Sequence, residues 1–210
     1  MSDFSFEPMR GLPERLPTDE RLLWQGAPSF RSLAVNAFHV RKIVIYFLVL
    51  GVLQAAAQLS AGVVLTTALQ PFLWLVPMGL MAAAILTGVA WASARSTVYT
   101  ITDKRLVMRI GIALPVTFNL PFKLIESASV RLFADGAGDI PVKLREGNRL
   151  AYLVIWPHAK PWEFVRPQPA LRSIADADSV AQLLASALAA QPATRPNIEP
   201  ANFAPEVAAA

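Results

Sequence analysis

A long stretch without charged residues constrains this chain more than any other feature. Between residues 43 and 94 there is no Asp, Glu, Lys or Arg. A helix that crosses a membrane needs about 20 mostly apolar residues to span a hydrocarbon core of roughly 30 Å, so the stretch has room for two crossings and a turn. The sequence therefore predicts a transmembrane helical hairpin over residues 43–94.

The turn of this hairpin is predicted where the apolar character falls, in the segment LTTALQP at residues 65–71. Proline is favoured in the first turn of a helix, so we predict helices over residues 43–64 and 70–94. Trp74 and Trp91 of the second helix are separated by about 26 Å at a rise of roughly 1.5 Å per residue. That distance is close to the spacing of the two aromatic belts of a membrane.

The cations that flank the hairpin predict its orientation. They are candidates for contact with the membrane surface: Arg41, Lys42, Arg95, Lys104 and Arg105. The connecting turn carries no charge, and cationic flanks stay in the cytoplasm, so we expect a multi-pass protein with both termini cytoplasmic. The alternative is a buried hairpin in a soluble helical protein, but a domain of this size could hardly cover two such helices.

The composition excludes several classes of site and partner. The chain has 210 residues, of which 54% are hydrophobic and 16% charged, and it has no cysteine. Disulfides and thiolate metal sites are therefore excluded. The net charge of +4 is explained by topology and by attraction to anionic lipid, so no nucleic-acid partner is predicted. Residues 1–21 lack the apolar centre of a signal peptide.

Both segments outside the hairpin are predicted to be cytoplasmic. Residues 1–42 form a lead-in, in which Leu22–Trp24 should make a short strand or turn against the later domain. Residues 29–40 have apolar positions at helical spacing, which is compatible with an interfacial helix. The proline- and alanine-rich residues 191–210 are expected to be disordered.

Residues 95–190 are predicted to form a domain of about seven short antiparallel strands and one helix. The apolar period is two along most of this segment and returns to 3.6 at Val180, Leu184 and Leu188. The fold class is therefore an α+β membrane protein, with a barrel whose open end is capped by the C-terminal helix. The predicted strands cover residues 97–101, 106–110, 116–120, 127–133, 140–144, 150–155 and 171–174.

Five strings of residues resemble known bacterial membrane proteins. They are FEPMRGLP at 6–13, FHVRK at 38–42, STVYTITDKRLV at 96–107, LIE at 124–126 and WPHAKPW at 156–162. The third and fourth, with the double crossing, the strands and the final helix, resemble the bacterial pleckstrin-homology-like (PH-like) domain. Together the five resemble the photosynthetic-complex assembly proteins of purple phototrophic bacteria, over nearly the whole chain except its proline- and alanine-rich end.

The resemblance implies a non-enzymatic factor of the intracytoplasmic photosynthetic membrane, which is part of the bacterial inner membrane. Its partners would be subunits of the reaction centre and the core light-harvesting antenna, with membrane lipid and a second copy of the chain as further candidates. Two alternatives remain open: a lipid-binding or membrane-stress module with the same domain, and a small membrane enzyme. No cofactor is predicted.

Candidate partner contacts lie in a loop and on one helix. Proline fixes the loop backbone and its indoles offer large contact areas, although the loop could instead pack on its own domain. Small residues on the second helix allow close approach of another helix or hold the hairpin together. The candidates are Trp156, His158, Lys160, Trp162, Gly88 and Ala92.

Catalytic and metal-binding patterns are not recognisable. The chain has two histidines, His39 and His158, and it has no HExxH motif, phosphate-binding glycine loop or nucleophile elbow. We therefore predict no catalytic and no metal site. His39 could ligate bacteriochlorophyll, although it is more typical of a residue that hydrogen-bonds at the headgroup region. Lys104 and Arg105 occupy the hairpin turn where eukaryotic domains of this shape bind inositol phosphates, or they form a solvated turn.

Overall fold

Two long helices and two small antiparallel sheets make up the described part of the chain. The computed structural model describes residues 11, 12, 14, 16–145, 147 and 150–190; the predicted disorder of residues 191–210 concerns residues outside this part. The helices are α1 (Phe30–Ser32), a π-helical turn (Leu33–Ala37), α2 (Val40–Ser60), α3 (Leu65–Ala68), α4 (Phe72–Ser96), a 3₁₀ turn (Phe122–Leu124), α5 (Tyr152–Ile155) and α6 (Ala177–Ala189). The strands are β1 (Leu22–Gly26), β2 (Val98–Thr102), β3 (Arg105–Ile110), β4 (Val116–Pro121), β5 (Ile125–Ala128), β6 (Arg131–Leu132), β7 (Gly138–Leu144) and β8 (Ala170–Ile174).

The helices α2 and α4 pack together as a hairpin, as predicted. Glycine allows the close contacts: a Cβ atom at Gly51 would lie 2.7 Å from Phe72 Cε1, and one at Gly79 would lie 2.9 Å from Phe47 Cβ. A larger residue would therefore have to displace the Phe72 ring at position 51 or the Phe47 side chain at position 79. Gly51 and Gly79 thus provide the close approach that small residues give to apolar helix pairs.

The first helix ends by a glycine-dependent turn. Gly62 has φ of 80°, and the N–H of Val63 donates to the carbonyl of Gln58 at 3.1 Å. A positive φ followed by this backward hydrogen bond is the Schellman arrangement that terminates helices. The helix therefore stops at Ser60, four residues before the predicted end, and it begins at Val40 rather than at Ile43.

Both hairpin helices expose their apolar surface. The spans Val40–Ser60 and Leu65–Ser96 are long and apolar enough to cross a membrane, each with a mean hydropathy of 2.0. Only 11% and 6% of their most apolar windows are buried by the rest of the described chain. A core helix of a soluble protein would be covered by its own fold, and these two are not.

The first sheet grows directly out of the hairpin. Its strand order is β1-β2-β3-β4, with antiparallel neighbours. Only Thr97 separates α4 from β2, so the end of the helix fixes where the sheet begins. The strand β1 pairs with the edge of β2, with Trp24 opposite Ile101. The sequence left a short strand or a turn open at Leu22–Trp24, and the structure forms a strand there.

The second sheet is arranged around β7, with which β5, β6 and β8 all pair antiparallel. The helix α6 packs on the core that the two sheets share, burying Val180 and Leu184 beside Ile140. Leu188 is only partly buried against the same core. The predicted C-terminal capping helix is therefore present. We call the two sheets together with α6 the β domain.

The predicted closed barrel is wrong for the described residues. The described residues form two separate four-stranded sheets, and no strand of one sheet pairs with a strand of the other. Residues 127–133 were expected to form one strand, but β5 and β6 are separate, and Ser129 N–H donates to Pro141 O between them at 3.1 Å. Residues 150–155 were also expected to form a strand. They make the helical turn α5 instead, because β7, their expected partner, already pairs with β5 and β8.

Candidate functional site

A buried polar cluster joins the end of α4 to the β domain. The ring of His158 is 1% exposed. Its Nε2 atom lies 3.0 Å from Thr97 Oγ1 and 3.3 Å from Ser93 Oγ, and its Nδ1 atom lies 2.6 Å from Tyr99 Oη. Ser93 and Thr97 are one helical turn apart, so a single imidazole fastens the last turn of the hairpin to the loop that precedes β8.

Burial keeps this cluster uncharged at His158 and Tyr99. The loss of water, reinforced by the nearby charge of Arg172, lowers the pKa of His158 to about 3. Burial raises the pKa of Tyr99, and its Oη accepts the backbone N–H of Arg172 at 3.1 Å. The Tyr99 hydroxyl can then donate its proton to Nδ1 of His158. In that arrangement Nε2 carries the hydrogen and donates it to Thr97.

An ion pair continues the cluster into the second sheet. Arg172 Nε lies 3.1 Å from Asp139 Oδ2, and both side chains are buried. The guanidinium also donates through Nη1 to the carbonyl of Ala159 at 2.9 Å. The other carboxylate oxygen of Asp139 accepts the N–H of Ser173 at 2.8 Å. These contacts hold β7, β8 and the loop after α5 in one arrangement.

The segment that runs from α5 toward β8 presents an apolar surface. We call residues 153–165 the aromatic loop; they include the last three residues of α5. Trp162 is 85% exposed and has φ of 65°, a conformation that is costly for a bulky residue. Trp156 is exposed on one side and contacts Phe38 edge to face at 5.6 Å. The exposed large apolar side chains of the loop are Leu153, Val154, Trp156, Trp162, Phe164 and Val165.

The structure places the four loop candidates in three different environments: exposed, ion-paired and buried. Trp156 and Trp162 are exposed, as a contact role requires, and that role stays a prediction. Lys160 forms an ion pair with Glu163 at 2.8 Å. His158 is buried, so its expected direct contact with a partner is wrong for this conformation. It is a positioning residue instead, because its ring links the aromatic loop to α4.

A groove separates the aromatic loop from the start of α2. Its volume is about 410 Å³, and we call it the base groove. His39 lies at one wall and has φ of 55°, immediately before α2. The charged and aromatic residues that line the groove include His39, Arg41, Lys42, Arg131, Trp162 and Arg172.

The predicted surface cations do not all lie together. Arg41 and Lys42 line the base groove, and the Arg95 guanidinium lies 5.9 Å from the Trp91 ring centre. Lys104 and Arg105 follow β2, so they lie one strand length, roughly 17 Å at about 3.3 Å per residue, beyond Thr97. We call the end of the β domain where α4 enters the base end, and the end with the β2–β3 turn the far end.

At the far end both cations have carboxylate partners. Lys104 pairs with Asp19, and this contact lowers the pKa of Asp19 and raises that of Lys104. Arg105 forms a bidentate pair with Glu20, at 2.7 Å and 2.9 Å. These cations therefore tie the lead-in to the β domain, which the turn sequence alone did not indicate.

Of the two small-residue candidates on α4, Gly88 lies away from the hairpin contact. A Cβ atom at Gly88 would meet nothing within 4 Å, and Ala92 is half-buried. Gly51 and Gly79, rather than Gly88, make the close contacts between α2 and α4. The face at Gly88 is therefore open to a further helix or to lipid, and its role in partner binding stays a prediction.

Sequence reasoning missed most of the buried cluster. Ser93, Thr97, Tyr99, Asp139 and Arg172 match no chemical motif, and they come from three distant parts of the chain. The only local signal was the run of hydroxyl residues at the end of the charge-free stretch. Among the described residues no three His, Asp or Glu side chains come together as a metal site.

The chain is similar to a known protein family and to a bacterial protein. The family model described as "Bacterial PH domain" matches residues 43–188, which include the hairpin from Ile43 onward and the β domain apart from β1 and the last residue of α6. A protein of Rhodobacter capsulatus described as "Uncharacterized 23.7 kDa protein in puhA 5'region" is 42% identical over 196 residues, covering 90% of this chain and 89% of the relative. No solved structure matches the chain significantly.

Proposed function

This chain belongs to the bacterial PH domain family, and we propose that it is a membrane-bound, non-enzymatic assembly factor for the photosynthetic reaction centre and its core antenna. The observation that carries the proposal is the 42% identical relative, whose description places it in the 5' region of puhA, a reaction-centre gene. The strings in the sequence that resemble the PuhB type of assembly protein support the same assignment.

The hairpin would anchor the factor in the intracytoplasmic membrane. The rest of the fold leaves the two apolar helices uncovered. Keeping that apolar surface in water is unfavourable, and insertion into a membrane removes it from water. Arg41, Lys42 and Arg95 all lie at the base of the hairpin, and the turn between the helices is uncharged. The positive-inside rule therefore favours two crossings with both termini in the cytoplasm.

Rigid coupling supports a role that works by contact. The His158 cluster fixes the β domain to the last turn of α4, so the aromatic loop stays at a constant place beside the hairpin. An assembling complex of many helices exposes unfinished helix interfaces in lipid and polar surface just outside it. A factor whose open α4 face and aromatic loop are held together can cover both at once.

The experiment replaces Trp156 and Trp162 together by Ala in the chromosomal copy of a phototrophic host. Interface tryptophans commonly cost about 2 kcal/mol or more each when truncated. We therefore expect reaction-centre absorbance to fall severalfold while the factor stays in the membrane at its normal level. A deletion strain should show the same defect more strongly.

A matched control is the double replacement Ile112→Ala with Leu114→Ala, which removes exposed apolar side chains from the β3–β4 loop at the same end of the domain. It should leave reaction-centre levels near normal. An equal fall in both doubles would assign the effect to seating at the membrane rather than to partner contact. A deletion strain that assembles reaction centres at the normal rate and level would refute the assembly function.

A further inference from the structure

We propose that the base groove binds the headgroup of an anionic phospholipid, such as phosphatidylglycerol, with the lipid's acyl chains running along the start of α2. The proposal depends on the membrane insertion proposed above, but not on the role in photosynthetic assembly. The groove volume of about 410 Å³ is in the range of pockets that hold small ligands, roughly 300 to 1,000 Å³. The occupant is inferred from the charge of the groove, from its apolar wall and from the residues around it.

The charge of the groove is positive. Arg41 and Lys42 contribute from α2, and Arg131 contributes from β6. Within the part of the chain that the structure describes, these three cations have no carboxylate partner. Asp139 is the one acid among the described lining residues, and Arg172 and the N–H of Ser173 already occupy its two oxygens. Three available cations around one concave space suit a phosphate group.

The apolar wall of the groove favours a lipid over a free anion. Ile45 lines the same wall as Lys42, and it lies about 4.5 Å further along α2 at the helical rise of roughly 1.5 Å per residue. The wall therefore passes from the cationic first turn into the charge-free span. A phosphodiester at Arg41 and Lys42 would place its acyl chains beside Ile45, whereas inorganic phosphate would leave that apolar surface unused.

The surroundings of the groove suit a membrane interface. Trp162 lines the groove and is largely exposed, and Phe164 and Val165 follow it. The β3–β4 loop exposes Ile112 and Leu114, and this loop lies at the same base end because Arg109 of β3 pairs with Val98 of β2. Indole and aliphatic side chains that surround a cationic groove are typical of interfacial anchoring. Trp162 would thus sit at headgroup level.

The test uses the full-length protein, purified in a neutral detergent, with bound lipid counted by native mass spectrometry and thermal unfolding as a second readout. The probes are phosphatidylglycerol, phosphatidylcholine and inorganic phosphate. We expect tight binding of one phosphatidylglycerol and a rise in the unfolding temperature, with weaker binding of phosphatidylcholine and little effect of phosphate. A protein recovered only from the soluble fraction would overturn the insertion and, with it, this site.

The decisive variant is Arg131→Gln, which changes the groove without altering the charges that set topology. Each basic residue near an anionic surface contributes about 1 kcal/mol, so phosphatidylglycerol should bind about fivefold more weakly. The control Lys123→Gln removes an exposed cation that follows β4 at the far end and does not line the groove, and it should bind like the wild type. Adding Trp162→Ala to Arg131→Gln should weaken binding further.

Three results would overturn the site. Equal binding of phosphatidylcholine would show no headgroup selectivity, and an equal loss in Lys123→Gln would show diffuse attraction instead of a groove. A full effect of inorganic phosphate would show an anion site with no lipid contact. Selective lipid binding together with normal reaction-centre levels in the deletion strain would support the groove and refute only the assembly function.

Discussion

The two ends of the β domain use the same charged residue types in different ways. At the base end, Arg172 and Asp139 are 6% and 7% exposed and belong to the cluster around His158. At the far end, Lys104 and Asp19 are 47% and 71% exposed. An exposed pair is weakened by water and by salt, whereas a buried pair cannot lose one partner without leaving a desolvated charge. The difference predicts that loss of the Asp139–Arg172 pair destabilises the fold strongly, whereas the Lys104–Asp19 pair is replaceable. The second far-end pair, Arg105 with Glu20, is more buried, at 27% and 4% exposed.

Exposed apolar residues follow the same division. The base end carries the aromatic loop and the β3–β4 loop, with Trp162 and Leu114 largely uncovered. The far end carries ion pairs that attach the lead-in to the first sheet. A domain whose most exposed apolar side chains lie at one end has a natural orientation at an interface. The comparison therefore indicates a structural role for the buried cluster, while contact through the exposed loops around it stays a prediction.

The largest expected effect comes from breaking the buried pair. Asp139→Ala would leave the Arg172 guanidinium buried without its counter-ion, and such losses typically cost about 3–5 kcal/mol. The variant should unfold at much lower denaturant concentration in detergent, as followed by circular dichroism. It should also free the Ser173 N–H and loosen the aromatic loop.

The double replacement Asp139→Leu with Arg172→Met is the control for that prediction. It removes both charges, so it should recover most of the lost stability, because apolar residues often replace a buried pair at little cost. If Asp139→Ala were as stable as the wild type, the buried pair would not hold the base end, and the proposed difference between the two ends would be wrong.

The second effect is a dependence on pH that originates at His158. Its pKa is about 3 in the folded protein and about 6.5 in the unfolded chain, so below pH 6.5 the unfolded chain binds the extra proton. The stability contributed by the neutral ring is therefore complete above pH 6.5 and is lost as the pH falls from 6.5 toward 3. The slope approaches about 1.4 kcal/mol per pH unit.

His158→Gln checks this prediction, because an amide keeps a donor and an acceptor but does not titrate. The free energy of unfolding, measured in detergent at pH 7.5, 6.0 and 4.5, should decrease more steeply with falling pH for the wild type than for the variant. Carboxylates also titrate in this range, so the difference between the two proteins is the relevant quantity. Parallel curves would mean that His158 is not held neutral by the base-end cluster.

The sequence was most informative where one property ran through many consecutive residues. The charge-free stretch located both hairpin helices, and the return of a 3.6-residue period located α6. The failures came where tertiary pairing decided the outcome. The apolar residues Tyr152–Ile155 suit a strand or a helical turn equally well, and only the occupied edges of β7 select the helix.

The candidate site was predicted only in its exposed part. Trp156 and Trp162 could be proposed because prolines and indoles occur together in one short string. His158 was in the same string, but its burial depends on Ser93, Thr97 and Tyr99, which lie about 60 residues earlier in the chain. No local pattern records such contacts, because they arise only when α4 continues into β2 beside the loop.

The smallest expected effect is at the far end, where Lys104→Gln removes the cation that pairs with Asp19. Both side chains are exposed, so the change should lower the free energy of unfolding only slightly, and added salt should reduce the difference between the wild type and the variant. The pKa of Asp19, which Lys104 lowers, should return toward its ordinary value, as measured by NMR titration of the carboxyl carbon. Because Lys104 lies away from the base groove, binding of phosphatidylglycerol should be unchanged. A loss of stability as large as that of Asp139→Ala would show that the far end is held as tightly as the base end, and the contrast between the two ends would then have no energetic basis.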